Sequence, residues 1–301
     1  MKVRTFEFVA KRYLSKPTKS GGEKSDTAKG VLEWMSERWK GVDVTDIDLE
    51  LVEDLVFDLR SVRTARCPNG LKQSRINSYL VYLRATLNYA ARMGWVDSVP
   101  RIEVPEVAGK EVQVSKQQLR KFLRLLDPLR RNMAQFGLCT GLRKTNIRLL
   151  TWRHLDDNGE FLRFHRTEMK NGRAHIVPLN ADALAIIQRR MELKEDLEFD
   201  RPRLRGTIDH IFFQDNGRPF ATDSVTNKKW RQCVKEAGIQ GTTFHDMRHT
   251  WATMHLEAGT NVLELKAMGG WQDMKSLDRY THVSNVHAKT AANRIGGMAS
   301  W

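Results

Sequence analysis

Residues 242–259 read TTFHDMRHTWATMHLEAG. Thr243 suits a helix cap, Gly259 suits a stop, and the residues between them are compatible with one helix. His245 and Arg248 are three apart, so a helix sets an imidazole and a guanidinium on one face. His249 and His255 continue the same helix as surface or core histidines. What surrounds this helix decides the fold.

Working outward, 224–238 (SVTNKKWRQCVKEAG) reads as a helix closed by Gly238. RNMAQFGLC (131–139) is helical and ends at the turn TGLR (140–143), followed by the short helix KTNIRLL (144–150). EFLRFHRTEMKNGRAHIVPL (160–179) reads as strand, turn, strand: Phe161, Leu162, Phe164, Ile176 and Val177 are strand formers and KNG (170–172) supplies the turn. A helix is expected from about Ala181 to Glu195, then an irregular stretch, then a short strand IFF at 211–213. NVLELKAMGGWQDMKSLDRYTH (261–282) reads as helix, glycine turn, helix. Residues 1–97 are mostly helical, with Ile76, Leu80, Leu83, Leu87 and Ala90 on one stripe. The fold class is therefore mainly α with a small antiparallel sheet.

Residues 98–114 carry Pro100, Pro105 and Gly109 without helical period, and Ser115 with Gln118 opens the next helix as a capping box. The expected organisation is a helical domain over 1–100, a linker over 101–114, and a second domain over 115–301 with a C-terminal tail.

The 301 residues hold 50 Lys and Arg against 36 Asp and Glu, a net charge of +14. That excess favours a polyanionic partner, with nucleic acid ahead of an anionic membrane. No basic amphipathic anchor, leader-like apolar run or membrane span is visible, so a cytoplasmic protein with no membrane partner is expected. Cys67, Cys139 and Cys233 are too dispersed for a disulfide framework or zinc site and read as buried thiols. The stretch 60–75, RSVRTARCPNGLKQSR, reads as a basic loop, either a solvated surface or an edge for phosphates.

Four segments supply Arg143, Lys170, His245, Arg248, Trp271 and Tyr280 in chain order. Cleavage of a phosphodiester by a tyrosine needs that inventory. Charge grows on the non-bridging oxygens, and fixed guanidiniums meet it with paired hydrogen bonds. Taken singly, each residue has an ordinary structural role: Tyr280 at a helix end, the arginines in surface ion pairs, Trp271 in a core, Lys170 in a solvated turn.

Together the motifs resemble those of the tyrosine recombinases, the phage integrase family: an Arg in a T-G-L-R turn, a Lys on a β-hairpin, an H-x-x-R helix, a His or Trp, and a Tyr within R-Y-x-H. The resemblance spans roughly residues 115–285. It implies that Tyr280 is the nucleophile, forming a 3′-phosphotyrosyl link that a partner strand's 5′-hydroxyl resolves, with two rounds passing through a Holliday junction. Arg143 and Arg248 would bind the non-bridging oxygens. Lys170 would be the general acid, His245 would bond the phosphate and assist proton transfer, and Trp271 would position the site where many members have His. A free phenol has a pKa near 10, so a base or the arginines must help its ionisation. His245 is the first candidate and His282 the second.

The same resemblance implies a core-binding first domain, a clamp around duplex DNA at specific recombination sites, and a homotetramer on that DNA. It needs neither metal nor other cofactor, and leaves room for accessory DNA-bending or directionality proteins. The tail from Ser284, with Val286, Ala291 and Ile295, would dock on a neighbouring protomer or pack on its own domain. With about a hundred residues before the linker, no separate arm-site domain is expected. One departure stands out. Asn146 occupies a position where the family often carries an acid, and an amide there can orient Arg143. Two rivals stand beside it: a non-catalytic helix-turn-helix regulator, which reads 261–282 as helix, turn, helix but leaves Arg143, Lys170, His245 and Arg248 without roles, and a type IB topoisomerase-like enzyme with similar phosphotyrosine chemistry that rejoins the same strand.

Overall fold

A computed structural model describes residues 3–18, 21–64, 67–107, 114–169, 171–221 and 224–280. The chain forms two compact units, Met1–Lys110 and Glu111–Trp301.

The first unit contains α1 (Phe6–Leu14), α2 (Asp26–Arg38), α3 (Leu49–Ser61) and α4 (Gln73–Arg92). Three are opened by side-chain caps: Thr5 accepts from Phe8 N, Ser25 from Ala28 N and Asp48 from Leu51 N. The α4 stripe Ile76, Leu80, Leu83, Leu87 and Ala90 is buried, against Leu32, Met35, Leu55 and Leu59 of α2 and α3. The basic stretch is shorter as a loop than its sequence suggests. Arg60 closes α3 and Arg75 belongs to the first turn of α4, so only residues between them connect; Arg66 lies outside the described residues.

The second unit contains α5 (Lys116–Leu125), α6 (Pro128–Thr140), α7 (Lys144–Arg148), β1 (Phe161–Phe164), β2 (His175–Pro178), α8 (Ala181–Asp200), α9 (Lys228–Glu236), α10 (Phe244–Glu257) and α11 (Val262–Gly269). Ser115 and Gln118 form the expected capping box at α5. Gly137 of α6 packs on Met247 and Phe244 of α10, where a Cβ would stand in ordinary contact at 3.5 Å from each. Phe122, Phe136, Phe212, Trp230 and Met247 fill the core around this crossing.

The strands pair antiparallel with Leu162 opposite Val177 and Phe164 opposite His175. Those four residues face inward while Arg163 and Ile176 face out, the period of two a half-buried strand requires. The connection is longer than a tight turn and includes a 3₁₀ turn at Arg166–Glu168. Lys170 lies outside the described residues.

Four boundaries differ from expectation. Helix α8 runs on to Asp200, because its charged last turns are good helix formers supported by the Lys194–Glu198 pair, and it stops only before Pro202. The 211–213 segment makes isolated bridges at His210 and Phe213 rather than a strand. Helix α9 begins late, at Lys228 behind the Asn227 cap, because Arg130 holds the Ser224 and Val225 carbonyls in a turn. Past α11 the chain turns through Gly270 and enters a 3₁₀ helix, Lys275–Tyr280. The three cysteines are free and half-buried rather than fully buried. Among the described residues, no helix is long and apolar enough to cross a membrane.

Candidate active site

Arg248 is the most buried of the described candidate residues, 4% exposed. Its helix is fixed at the start by the Thr243–Asp246 capping box. One turn in, its guanidinium donates from Nη1 to Gly141 O and from Nη2 to Gly269 O, each at 2.7 Å. Both acceptors lie at helix C-termini, where carbonyls lack intrahelical partners and the dipole favours a cation. Both must also be glycine. A Cβ on Gly141 (φ 64°) would meet Trp251 Cε3 at 2.3 Å, and one on Gly269 would meet Trp271 Cζ3 at 2.0 Å. The two indoles stack at 5.9 Å, and Arg248 Cζ stands 4.0 Å from the Trp271 ring centroid. Burial pushes the guanidinium pKa down to about 10, helped by repulsion from Arg143 and opposed by Tyr280; it is still charged at neutral pH.

Arg143 reaches the same place from the other side. It is the N-cap residue of α7 in extended conformation, immediately after the α6 terminus. It is half-buried, and that desolvation lowers its pKa. Among the described residues it makes no hydrogen bond or ion pair. Among the described residues Asp273 is the carboxylate lining the cleft, and it is occupied by the Ser276 amide and hydroxyl at 2.8 Å each, which lower its pKa. Among the described residues the two guanidiniums thus converge without an ion-pairing acid, an arrangement that suits a phosphate.

Tyr280 closes the cleft. Its ring lies 6.1 Å from Trp271 and 5.7 Å from His249, and its hydroxyl is hydrogen-bonded to His249 Nδ1. His245 stands edge-on to His249 at 4.7 Å and lines the same open cleft, of about 500 Å³. The histidine at the phenol is therefore His249, four residues beyond the expected His245. The sequence carried a signal for it, since positions four apart share a helix face. His255 is structural, bonded to Thr260 and packed on Trp251. His282 and the tail from Ser284 lie outside the described residues.

Three further residues join the site. Asn171, beside Lys170, lines the cleft and donates to Gly270 O at 3.2 Å; Gln272 donates to Asn171 O at 3.1 Å. His175 is buried against Gly270, whose Cβ would lie 3.0 Å from its ring, and bonds the Met268 backbone. Burial, then Arg248 and Arg143, hold its pKa low. Asn146 does not orient Arg143 as expected. Its amide donates to Glu168 O at 3.2 Å and to Met169 Sδ at 3.6 Å, tying α7 to the segment that precedes Lys170.

The chain is similar to the integrase of Salmonella phage P22, at 29% identity over 235 residues, covering 73% of this chain and 57% of that protein. It is also similar to the tyrosine recombinase XerD of Listeria monocytogenes, at 26% identity over 230 residues, covering 73% of this chain and 75% of that protein. It thus spans little more than half the length of the P22 relative. In fold it is similar to the Tn1549 transposon integrase in complex with transposon right end DNA (TM-score 0.73, 17% identity, 98% of this chain and 100% of that chain). It is likewise similar to a lambda integrase tetramer bound to a Holliday junction (TM-score 0.67, 14% identity, 94% and 80%). The family model described as the phage integrase family matches residues 113–287, more than half of the sequence, and the chain belongs to that family.

Proposed function

We propose that this protein is a site-specific DNA recombinase that cuts and rejoins DNA strands through a 3′-phosphotyrosyl intermediate. The observation that carries this is the convergence of Arg143 and Arg248 on a cleft that also holds the Tyr280 hydroxyl. Tyr280 attacks a backbone phosphorus, the bond to the 5′-oxygen breaks, and the guanidiniums take up the charge that builds on the non-bridging oxygens. Lys170 protonates the departing 5′-oxygen. His245 bonds the phosphate and Trp271 holds Arg248 in place. Each step exchanges one phosphoester for another, so no energy-rich cofactor is consumed.

The partners are double-stranded DNA carrying specific sites and further copies of this chain, four on two sites, with exchange through a Holliday junction. The first unit serves as a core-type DNA-binding domain, and the work is done in the cytoplasm of a bacterial or phage-infected cell. The relatives named integrase and recombinase, and the lambda integrase tetramer on a Holliday junction, support this reading. A regulator would leave the two guanidiniums and the phenol that line this cleft without a task.

The test does not require the site to be known. Wild type and Tyr280→Phe are expressed beside a library of the source genome, lysed in denaturant, and the covalently attached DNA is sequenced. Adducts at one defined site with wild type alone are expected. Absence of adducts from both proteins, with sequence-specific retention under native conditions, favours the regulator. Adducts scattered without preference favour a topoisomerase.

A further inference from the structure

We propose that His249 is the catalytic residue that takes the phenolic proton from Tyr280, leaving His245 to face the phosphate. This rests on the nucleophilic role given to Tyr280 above. Three observations carry it. His249 Nδ1 is hydrogen-bonded to the Tyr280 hydroxyl, across thirty-one residues of chain. Its helix is pinned by the Thr243–Asp246 capping box at one end and by Arg248 to two helix termini in its middle, so the imidazole is held rather than loose. His245, one turn earlier, meets His249 edge-on at 4.7 Å and lies on the exposed wall of the cleft.

The step balances as follows. Neutral His249 accepts the proton at Nδ1 as the phenolic oxygen forms its bond to phosphorus and the bond to the 5′-oxygen breaks. The 5′-oxygen takes its proton from Lys170. On rejoining, a 5′-hydroxyl attacks phosphorus and gives its proton to the now neutral Lys170, the bond between phosphorus and the Tyr280 oxygen breaks, and the His249 imidazolium returns its proton to that oxygen. A general base at this position is worth about 10²–10⁴ in rate. The groups sharing the cleft with His249 are His245, Tyr280, Asp273, Arg143 and Arg248.

The experiment measures single-turnover adduct formation on an oligonucleotide carrying the cleaved site, with wild type, His249→Ala, His249→Asn and Lys170→Ala. Each is run on the ordinary phosphodiester and on a substrate with sulfur in place of the bridging 5′-oxygen, a leaving group that needs no acid. Both His249 variants are expected to be slowed about 10²-fold on both substrates, to melt like wild type, and His249→Ala to regain rate with added imidazole. Lys170→Ala is expected to recover on the sulfur substrate alone. Wild-type rates in His249→Ala overturn the proposal while Tyr280 keeps its role. Wild-type rates in His249→Asn with loss in His249→Ala overturn proton transfer, because an amide can hold the hydroxyl but cannot take its proton. Failure of wild type itself to form an adduct overturns the nucleophilic role of Tyr280, and the proposal with it.

Discussion

Arg248 and Trp271 form a cation–π pair, with the guanidinium carbon 4.0 Å from the indole ring centroid. The indole also stacks on Trp251, so it couples the depth of Arg248 to the core beneath it. Such a contact is worth about 2 kcal/mol when desolvated. Trp271→Ala should therefore lower single-turnover cleavage by up to about 30-fold, with Trp271→Phe losing less. An alanine variant that cleaves at the wild-type rate would show that the two backbone carbonyls alone hold Arg248.

Gly141→Ala should be more damaging than its size suggests. The left-handed φ of 64° is strained for alanine, and the new methyl would meet the Trp251 ring at 2.3 Å. Strain and overpacking together come to about 3 kcal/mol. The Gly141 carbonyl that holds Arg248 would also move. Thermal melts should fall by roughly 5–10 °C, and cleavage should fall with them. A melt within a degree of wild type would mean that α6 and Trp251 separate freely.

Arg143→Ala should split stability from activity. The guanidinium is half-buried without a hydrogen-bond partner among the described residues, and desolvation lowers its pKa. Removing it takes away a solvation cost rather than a contact, so the melting temperature should hold or rise slightly. Cleavage should drop about 10²–10³-fold, by analogy with loss of one oxyanion donor. A large fall in melting temperature would assign Arg143 a structural role.

These relationships were unequally legible in the sequence. The helix of Arg248 could be read from its cap and stop residues, and the glycine turn before Arg143 from three letters, because both signals are local. The fold class followed from helical stripes and one pair of strand-forming runs. His249 was not singled out, because its importance depends on Tyr280 folding back onto α10, a contact that no periodicity encodes. The neighbour of Asn146 is hidden for the same reason: the Glu168 carbonyl it holds lies twenty-two residues away. The length of α8 is hidden because a charged run carries no apolar stripe, although those residues are good helix formers and only Pro202 stops the helix.

The Asn146 bond gives a test of the segment leading to Lys170. Asn146→Ala removes its hold on Glu168 and Met169. If that hold positions the general acid, the variant should be slow on the ordinary phosphodiester. It should recover on the sulfur-bridged substrate, as Lys170→Ala does. A defect equal on both substrates would place the role of Asn146 at Arg143 instead.

His175 sets a pH limit on stability. Burial, followed by Arg248 and Arg143, holds its folded pKa below the ordinary 6.5. As pH falls, the unfolded chain therefore takes the proton first, and folding loses free energy. The contribution is complete above about pH 6.5 and is lost as pH falls toward the folded value. His210 and His255, also lowered by burial, act in the same direction. Wild type should melt lower at pH 5 than at pH 7.5. His175→Asn keeps an amide donor for the Met268 backbone but cannot be protonated, so its gap between the two pH values should be smaller. An unchanged gap would mean that His175 is protonated in the folded protein, with its charge accommodated beside two arginines.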